Sequence, residues 1–226
     1  MADASFRHRM ADYASNDRVG PLNRWISTLC DQHRWMPRIA PTYGGVEAEV
    51  LFLLQDPGPG TAQASASGFL SHQNDDDASE LLAHCLDHAD LPACRTTAWN
   101  AYPWYRSEDA GRPSAAEVGT ALPVLADLLD RLPRVRVVVP MGPVAQEAWS
   151  RFAEQHPVRA NAYVRVDAPL PGDQALRTGE LVSALAEARS IIDAPPLALV
   201  DATAARRTRR SCDRPATAAD RTCRSA

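Results

Sequence analysis

The chain has 226 residues, 45% of them hydrophobic and 23% charged, enough for one globular domain with a real core. Its net charge of -4 at pH 7 argues against a protein that coats nucleic acid over its whole surface, though it leaves room for one basic groove. No stretch approaches the roughly 20 apolar residues of a membrane span, and the first ten residues carry Asp3, Arg7, His8 and Arg9 rather than a secretory apolar run.

In chain order, the spacing of apolar residues over Leu22 to Leu29 predicts a helix, broken by Pro37 and Pro41. Val46 to Leu54 ends in a continuous apolar run stopped by Asp56-Pro57-Gly58-Pro59-Gly60, which reads as a buried strand and a loop. Asp77 to Ala89 places Leu81, Leu82, Cys85 and Leu86 on one helical face. Thr96 to Asn100 reads as a short strand. Ser114 with Glu117 three residues later is a capping box, opening a helix that runs to about Leu132. Val135 to Pro140 is a strand, Gly142 to Glu154 a helix, Ala160 to Val166 a fourth strand and Gly179 to Ile192 a last helix. This alternation predicts an α/β fold: a three-layer α/β/α sandwich around a central, mainly parallel four-stranded sheet. Ligands of such sheets bind at the carboxyl ends of the strands. From Ala194 onward the composition turns to Pro, Ser, Thr and Arg. The expected division is therefore a domain over residues 1–193 and a disordered tail over 194–226. The tail segment Arg206 to Arg224 could touch phosphates, but an unselected end explains it as well.

The five cysteines, Cys30, Cys85, Cys94, Cys212 and Cys223, form no CxxC pair. They read as reduced thiols of a cytoplasmic protein, with no metal site implied. All 24 basic residues are Arg, whose planar fork suits phosphate oxygens.

Three constellations carry possible chemistry. Gln55-Asp56-Pro57-Gly58-Pro59-Gly60 sets a carboxylate at the rim of the sheet, although Asp-Pro-Gly is also a common turn. Ser67-Gly68-Phe69-Leu70-Ser71 offers a ring that can stack on a flat ligand or anchor its loop, and Asn74-Asp75-Asp76-Asp77 after it reads as a solvated helix start. Trp99-Asn100-Ala101-Tyr102-Pro103-Trp104-Tyr105 offers an amide beside apolar walls; its donor and acceptor match a pyrimidine edge, or it sits in a packed aromatic turn.

Taken in order, Gln-Asp-Pro, then Gly-Phe, then Asn-Ala-Tyr-Pro-Trp resembles the uracil-DNA glycosylase superfamily. The strand, Gly and Ala-rich helix of Val139 to Trp149 resemble it too. The resemblance covers roughly Val46 to Ile192. It implies a cofactor-free enzyme of base-excision repair that flips a nucleotide out of DNA and hydrolyses the N-glycosidic bond of uracil or a related deaminated base. It also implies roles. Asp56 orients water and offsets positive charge on the sugar. Phe69 stacks on the base, Asn100 reads its edge, and Gln55, Pro57 and Gly58 line the pocket. The loop Pro169-Leu170-Pro171 contacts DNA, with Leu170 as a wedge. The expected partner is DNA, with the protein acting as a monomer.

The chain departs from the family pattern twice. Gly58 stands where a Tyr excludes thymine, and Ala168 stands where a His donates to the leaving uracil. Loss of one such donor costs on the order of 100- to 1,000-fold in rate. The alternative is therefore a non-catalytic nucleic-acid-binding protein that keeps the fold. A generic nucleotide-binding domain is disfavoured, since neither GxxxxGK[ST] nor GxGxxG occurs.

Overall fold

The computed structural model describes residues 4–61, 66–106, 110–172 and 178–195. Two helices open the chain: α1 (Ala4–Tyr13) and α2 (Gly20–Thr28). Then come β1 (Arg38–Ile39), β2 (Val50–Leu54), β3 (Phe69–Leu70), α3 (Asp77–His88), β4 (Thr96–Asn100), α4 (Ala115–Asp130), β5 (Val137–Pro140), α5 (Pro143–Gln155), α6 (Pro157–Ala160), β6 (Val164–Arg165) and α7 (Thr178–Asp193).

The fold is α/β. Its main sheet is parallel, in the order β4-β2-β5-β6, with helices flanking it in three layers. Right-handed crossovers explain the layering. The step from β2 to β4 runs one way across the sheet, and the step from β4 to β5 runs back. The connecting helices α3 and α4 therefore fall on opposite faces. Accordingly α3 packs with α7, and α4 packs with α5. The central strands are covered on both sides, so Val50 to Leu53 and Val137 to Val139 are fully buried, as continuous apolar runs require.

Helix ends follow local chemistry. Asp76 caps α3 by accepting from the Ser79 N–H at 2.8 Å. The capping box of α4 forms as its sequence predicts: the Ser114 N–H donates to Glu117 at 2.7 Å, and the Glu117 N–H donates to the Ser114 hydroxyl at 3.3 Å.

Two strand boundaries are corrected. Residues 46–49 are not strand, because Gly45–Glu47 forms a 3-10 turn before β2. Gly45 has a φ of +58°, and a Cβ there would lie 2.1 Å from the Arg18 carbonyl oxygen, so the chain must turn tightly at this point. The fourth strand is reduced to Val164–Arg165, since Pro157 opens a helical turn that takes Ala160. A second, two-stranded parallel sheet, β1 with β3, was not expected from the sequence. Among the described residues, no helix is long and apolar enough to cross a membrane. The expected tail, apart from Ala194 and Pro195, lies outside the described residues.

Candidate active site at the carboxyl edge of the sheet

β2 and β4 run in register, with Leu54 beside Asn100. Past their ends the pairing continues for two more bonds, from the Ala101 N–H to the Leu54 carbonyl (2.8 Å) and from the Tyr102 N–H to the Gln55 carbonyl (3.0 Å). Gln55 and Asp56 therefore leave the sheet level with Asn100. On the other side of β2, the crossover after β5 goes to the opposite face. This divergence opens a crevice at the carboxyl ends of the strands.

Asp56 is held at both oxygens. Oδ1 accepts from Gln55 Nε2 at 2.9 Å, and Oδ2 accepts from Arg106 Nη2 at 3.0 Å. The side chains of Asp56 and Arg106 are only 18% and 12% exposed. Arg106 is itself fixed by the Ala110 and Gly111 carbonyls, lies 3.6 Å from the Glu117 carboxylate and sits over the Tyr102 ring at 5.6 Å. Its Nε is buried without a partner. The Ser114 N–H and hydroxyl, with Arg106 adding to them, hold the Glu117 carboxyl below the usual carboxylate range.

Asn100 is 1% exposed, and neither its Oδ1 nor its Nδ2 has a hydrogen-bond partner. An orphaned buried amide group costs about 1–3 kcal/mol, so native folds rarely keep one without a use. Asn74 repeats the pattern at one atom. Its Nδ2 donates to the Phe69 carbonyl at 3.0 Å, while Oδ1 is buried and unpartnered. Both asparagines line a cavity of about 530 Å³ that also holds Gln55, Asp56, Gly58 and Tyr43. Burial pushes the Tyr43 phenol far above its ordinary range, so it stays a neutral donor. The His72 ring meets Tyr43 edge-on at 5.2 Å, and burial lowers its pKa against an opposing pull from Asp87.

A second cavity, about 720 Å³, adjoins the first across Gln55, Leu170, Pro171 and Gly172. Its far wall holds Arg112, Gln146 and Asp167.

The structure thus brings together Gln55, Asp56, Gly58 and Asn100, as the sequence predicts. Gly58 faces open space, with no atom within 4 Å of a built Cβ. Pro57 lies instead in a small cavity of about 130 Å³ beside Arg106 and Tyr105. Phe69 requires a correction, because it does not line the 530 Å³ cavity. It is 1% exposed, and the Arg38 guanidinium covers its ring at 4.5 Å. Successive strand residues face opposite sides, and in β3 it is Leu70 that lines the cavity. Leu170 is half-buried against Gly142, whose φ is +81° and whose missing Cβ would lie 2.8 Å from Leu170 Cβ. It is a partition between the two cavities, not an exposed wedge. Pro171 lines both cavities and Pro169 the larger.

Ala168, 2% exposed, contributes backbone only. It forms a parallel bridge with Met141, and its carbonyl accepts from the Gly142 N–H (2.9 Å) and Gln146 Nε2 (3.1 Å). Asp167 pairs with Arg165 at 2.7 Å. Sequence reasoning missed Arg106, Tyr43 and Gln146. One arginine among 24 carries no signal of its own, and only its place six residues past Asn100 pointed to it. Asn74 was visible, but the three aspartates after it made it look like a solvated helix start.

Among the described residues, no three His, Cys, Asp or Glu side chains gather as a metal ion would require. No protein-family model matches the chain, and no curated protein matches it.

Proposed function

We propose that the protein is a DNA repair hydrolase that cleaves the N-glycosidic bond of uracil or a related deaminated base. It would act as a cytoplasmic monomer on DNA without a cofactor. The observation that carries this reading is Asn100: a buried amide with both polar atoms unpartnered, on the wall of a cavity that also holds a fixed carboxylate. An amide in that state matches a flat ligand edge with one donor and one acceptor side by side, which a uracil-type base presents.

The chemistry follows from charge. As the bond lengthens, the sugar becomes cationic and the base takes the electron pair. Asp56 sits ready as a fixed anion beside the sugar and orients the attacking water. Its oxygens are already held by Gln55 and Arg106, so little reorganisation is needed in the transition state. The base must leave the helical stack to reach Asn100, so DNA binds with the nucleotide flipped. Uracil and thymine are not separated at Gly58, where no side chain blocks a methyl group.

The test uses single- and double-stranded oligonucleotides carrying uracil, hypoxanthine or a mismatched thymine, scored for alkali-labile abasic sites. Wild-type protein is expected to produce them, and Asp56→Asn to lower the rate about 100- to 1,000-fold. Binding of uracil-DNA without cleavage would instead favour a non-catalytic nucleic-acid-binding protein. Neither cleavage nor binding would end the glycosylase reading.

A further inference from the structure

We infer that the 530 Å³ cavity takes a positively charged base, a ring-N-alkylated purine, in preference to a neutral deaminated one. The inference rests on the reading of this cavity as a base pocket.

Charge is the first ground. Four aspartates are among the residues that line the cavity, Asp56, Asp75, Asp76 and Asp77, with Asp75 and Asp77 at its exposed edge, and no Arg, Lys or His lines it. The charge of Asp56 is answered by Arg106. Among the described residues, no ion pair reaches Asp75, Asp76 or Asp77. Their compensation is the start of α3, where Asp76 caps the Ser79 N–H. A helix terminus supplies the equivalent of about half a positive charge, against three negative ones. The cavity is left with a negative field.

Asn74 gives the second, independent ground. It is 8% exposed and lines the cavity, and its Oδ1 is an acceptor with no donor. The amide cannot be turned over, because that would set its oxygen against the Phe69 carbonyl that Nδ2 now meets at 3.0 Å. The vacancy asks for an N–H on the ligand.

A neutral base leaves as an anion. In this cavity an anion would meet carboxylates and only neutral donors, with Ala168 adding no side-chain donor at the rim. An N7-methylguanine residue reverses the sign. Its ring carries one positive charge. When the bond from C1′ to N9 breaks, the electron pair passes to N9 and cancels that charge, so the base departs neutral. Water adds its oxygen to C1′ and gives up one proton to solvent beside Asp56. Cationic base residue plus water thus yields neutral base, a C1′ hydroxyl and a proton. The O6 and N1–H edge of this base offers the acceptor and donor that Asn100 lacks, and its exocyclic amine offers an N–H to Asn74. Size agrees: about 530 Å³ lies within the range of roughly 300–1,000 Å³ that holds drug-sized ligands, and Gly58 leaves the mouth open.

The experiment compares duplexes carrying N7-methylguanine, hypoxanthine or uracil, each corrected for spontaneous base loss. A parallel arm with free N7-methyl-2′-deoxyguanosine separates a DNA substrate from a small nucleoside. Release of N7-methylguanine at least tenfold faster than hypoxanthine is expected. In an Asp75→Asn/Asp77→Asn double variant, with Asp76 kept as the cap, that ratio should fall about fivefold for each charge removed. A melting curve checks that this variant folds. Uracil or hypoxanthine released as fast as N7-methylguanine would overturn the inference while leaving the glycosylase reading in place. Failure to release any of the three bases would remove both.

Discussion

Two buried asparagines separate the part of this molecule that holds itself together from the part that waits for something else. Asn23, on α2, is 5% exposed and fully used. Its Nδ2 donates to the Ala14 and Ile39 carbonyls at 3.0 and 3.1 Å, and its Oδ1 accepts from the Ile39 N–H at 2.8 Å. It ties α2 to β1 and satisfies backbone groups that the short β1 pairing leaves over. Asn100, at the end of β4, is more buried still, and its side chain makes no hydrogen bond. Both amides are equally removed from water, so their desolvation costs are alike, but only Asn23 recovers its cost within the fold. The two asparagines thus differ by satisfaction rather than by burial, which is what the proposed ligand-reading role of Asn100 requires.

Substitution offers the sharpest way to break this contrast. Asn23→Leu removes three hydrogen bonds and leaves the Ala14 and Ile39 backbone groups unpaired. It should lower unfolding free energy by about 3–5 kcal/mol in urea titrations, with the proposed base excision lost only as the fold is lost. Asn100→Leu keeps the branched shape of the side chain and replaces its two orphaned polar atoms with methyl groups. It should leave the protein equally stable or about 1 kcal/mol more stable, while the proposed excision drops below detection. A loss of stability at Asn100 as large as that at Asn23 would make Asn100 a structural residue.

The smallest expected effect concerns His72, whose Nδ1 is a third kind of unpartnered atom in this region. Burial lowers its pKa in the folded state from the ordinary 6.5, so the folded protein holds the ring neutral. Below that value the unfolded chain takes up a proton more readily than the folded one, and unfolding is favoured. The stability it contributes is therefore present above about pH 6.5 and is lost as pH falls below it. Melting midpoints between pH 5 and 7.5 should slope less in His72→Gln than in the parent. An unchanged slope would assign the acid sensitivity to other groups.

Much of the sheet could be read from sequence because its signal is local. A continuous apolar run such as Val50 to Leu54 can satisfy itself only where both faces are covered, and the alternation of strands with helices does the rest. The errors fall where a neighbour distant in sequence decides. Val46 to Glu49 looked extended, but Gly45 is pressed against the Arg18 carbonyl and the chain turns there. Phe69 was placed in the correct loop, but its pairing in β3 with Arg38 sends the ring beneath the guanidinium rather than into the cavity.

What the sequence alone determined was the order of the main-sheet strands and the larger helices between them, the capping of α4, and the positions of Gln55, Asp56, Gly58 and Asn100 at strand ends. Each depends on residues within a few positions of one another, where periodicity and turn chemistry act directly. Only the tertiary structure decided the state of those groups. Arg106 meets Asp56 from 50 residues away, Asn100 and half of Asn74 go without partners, and Leu170 becomes a partition against Gly142. Hydrogen-bond satisfaction and charge pairing are sums over everything that reaches one point in space, and no stretch of chain contains that sum.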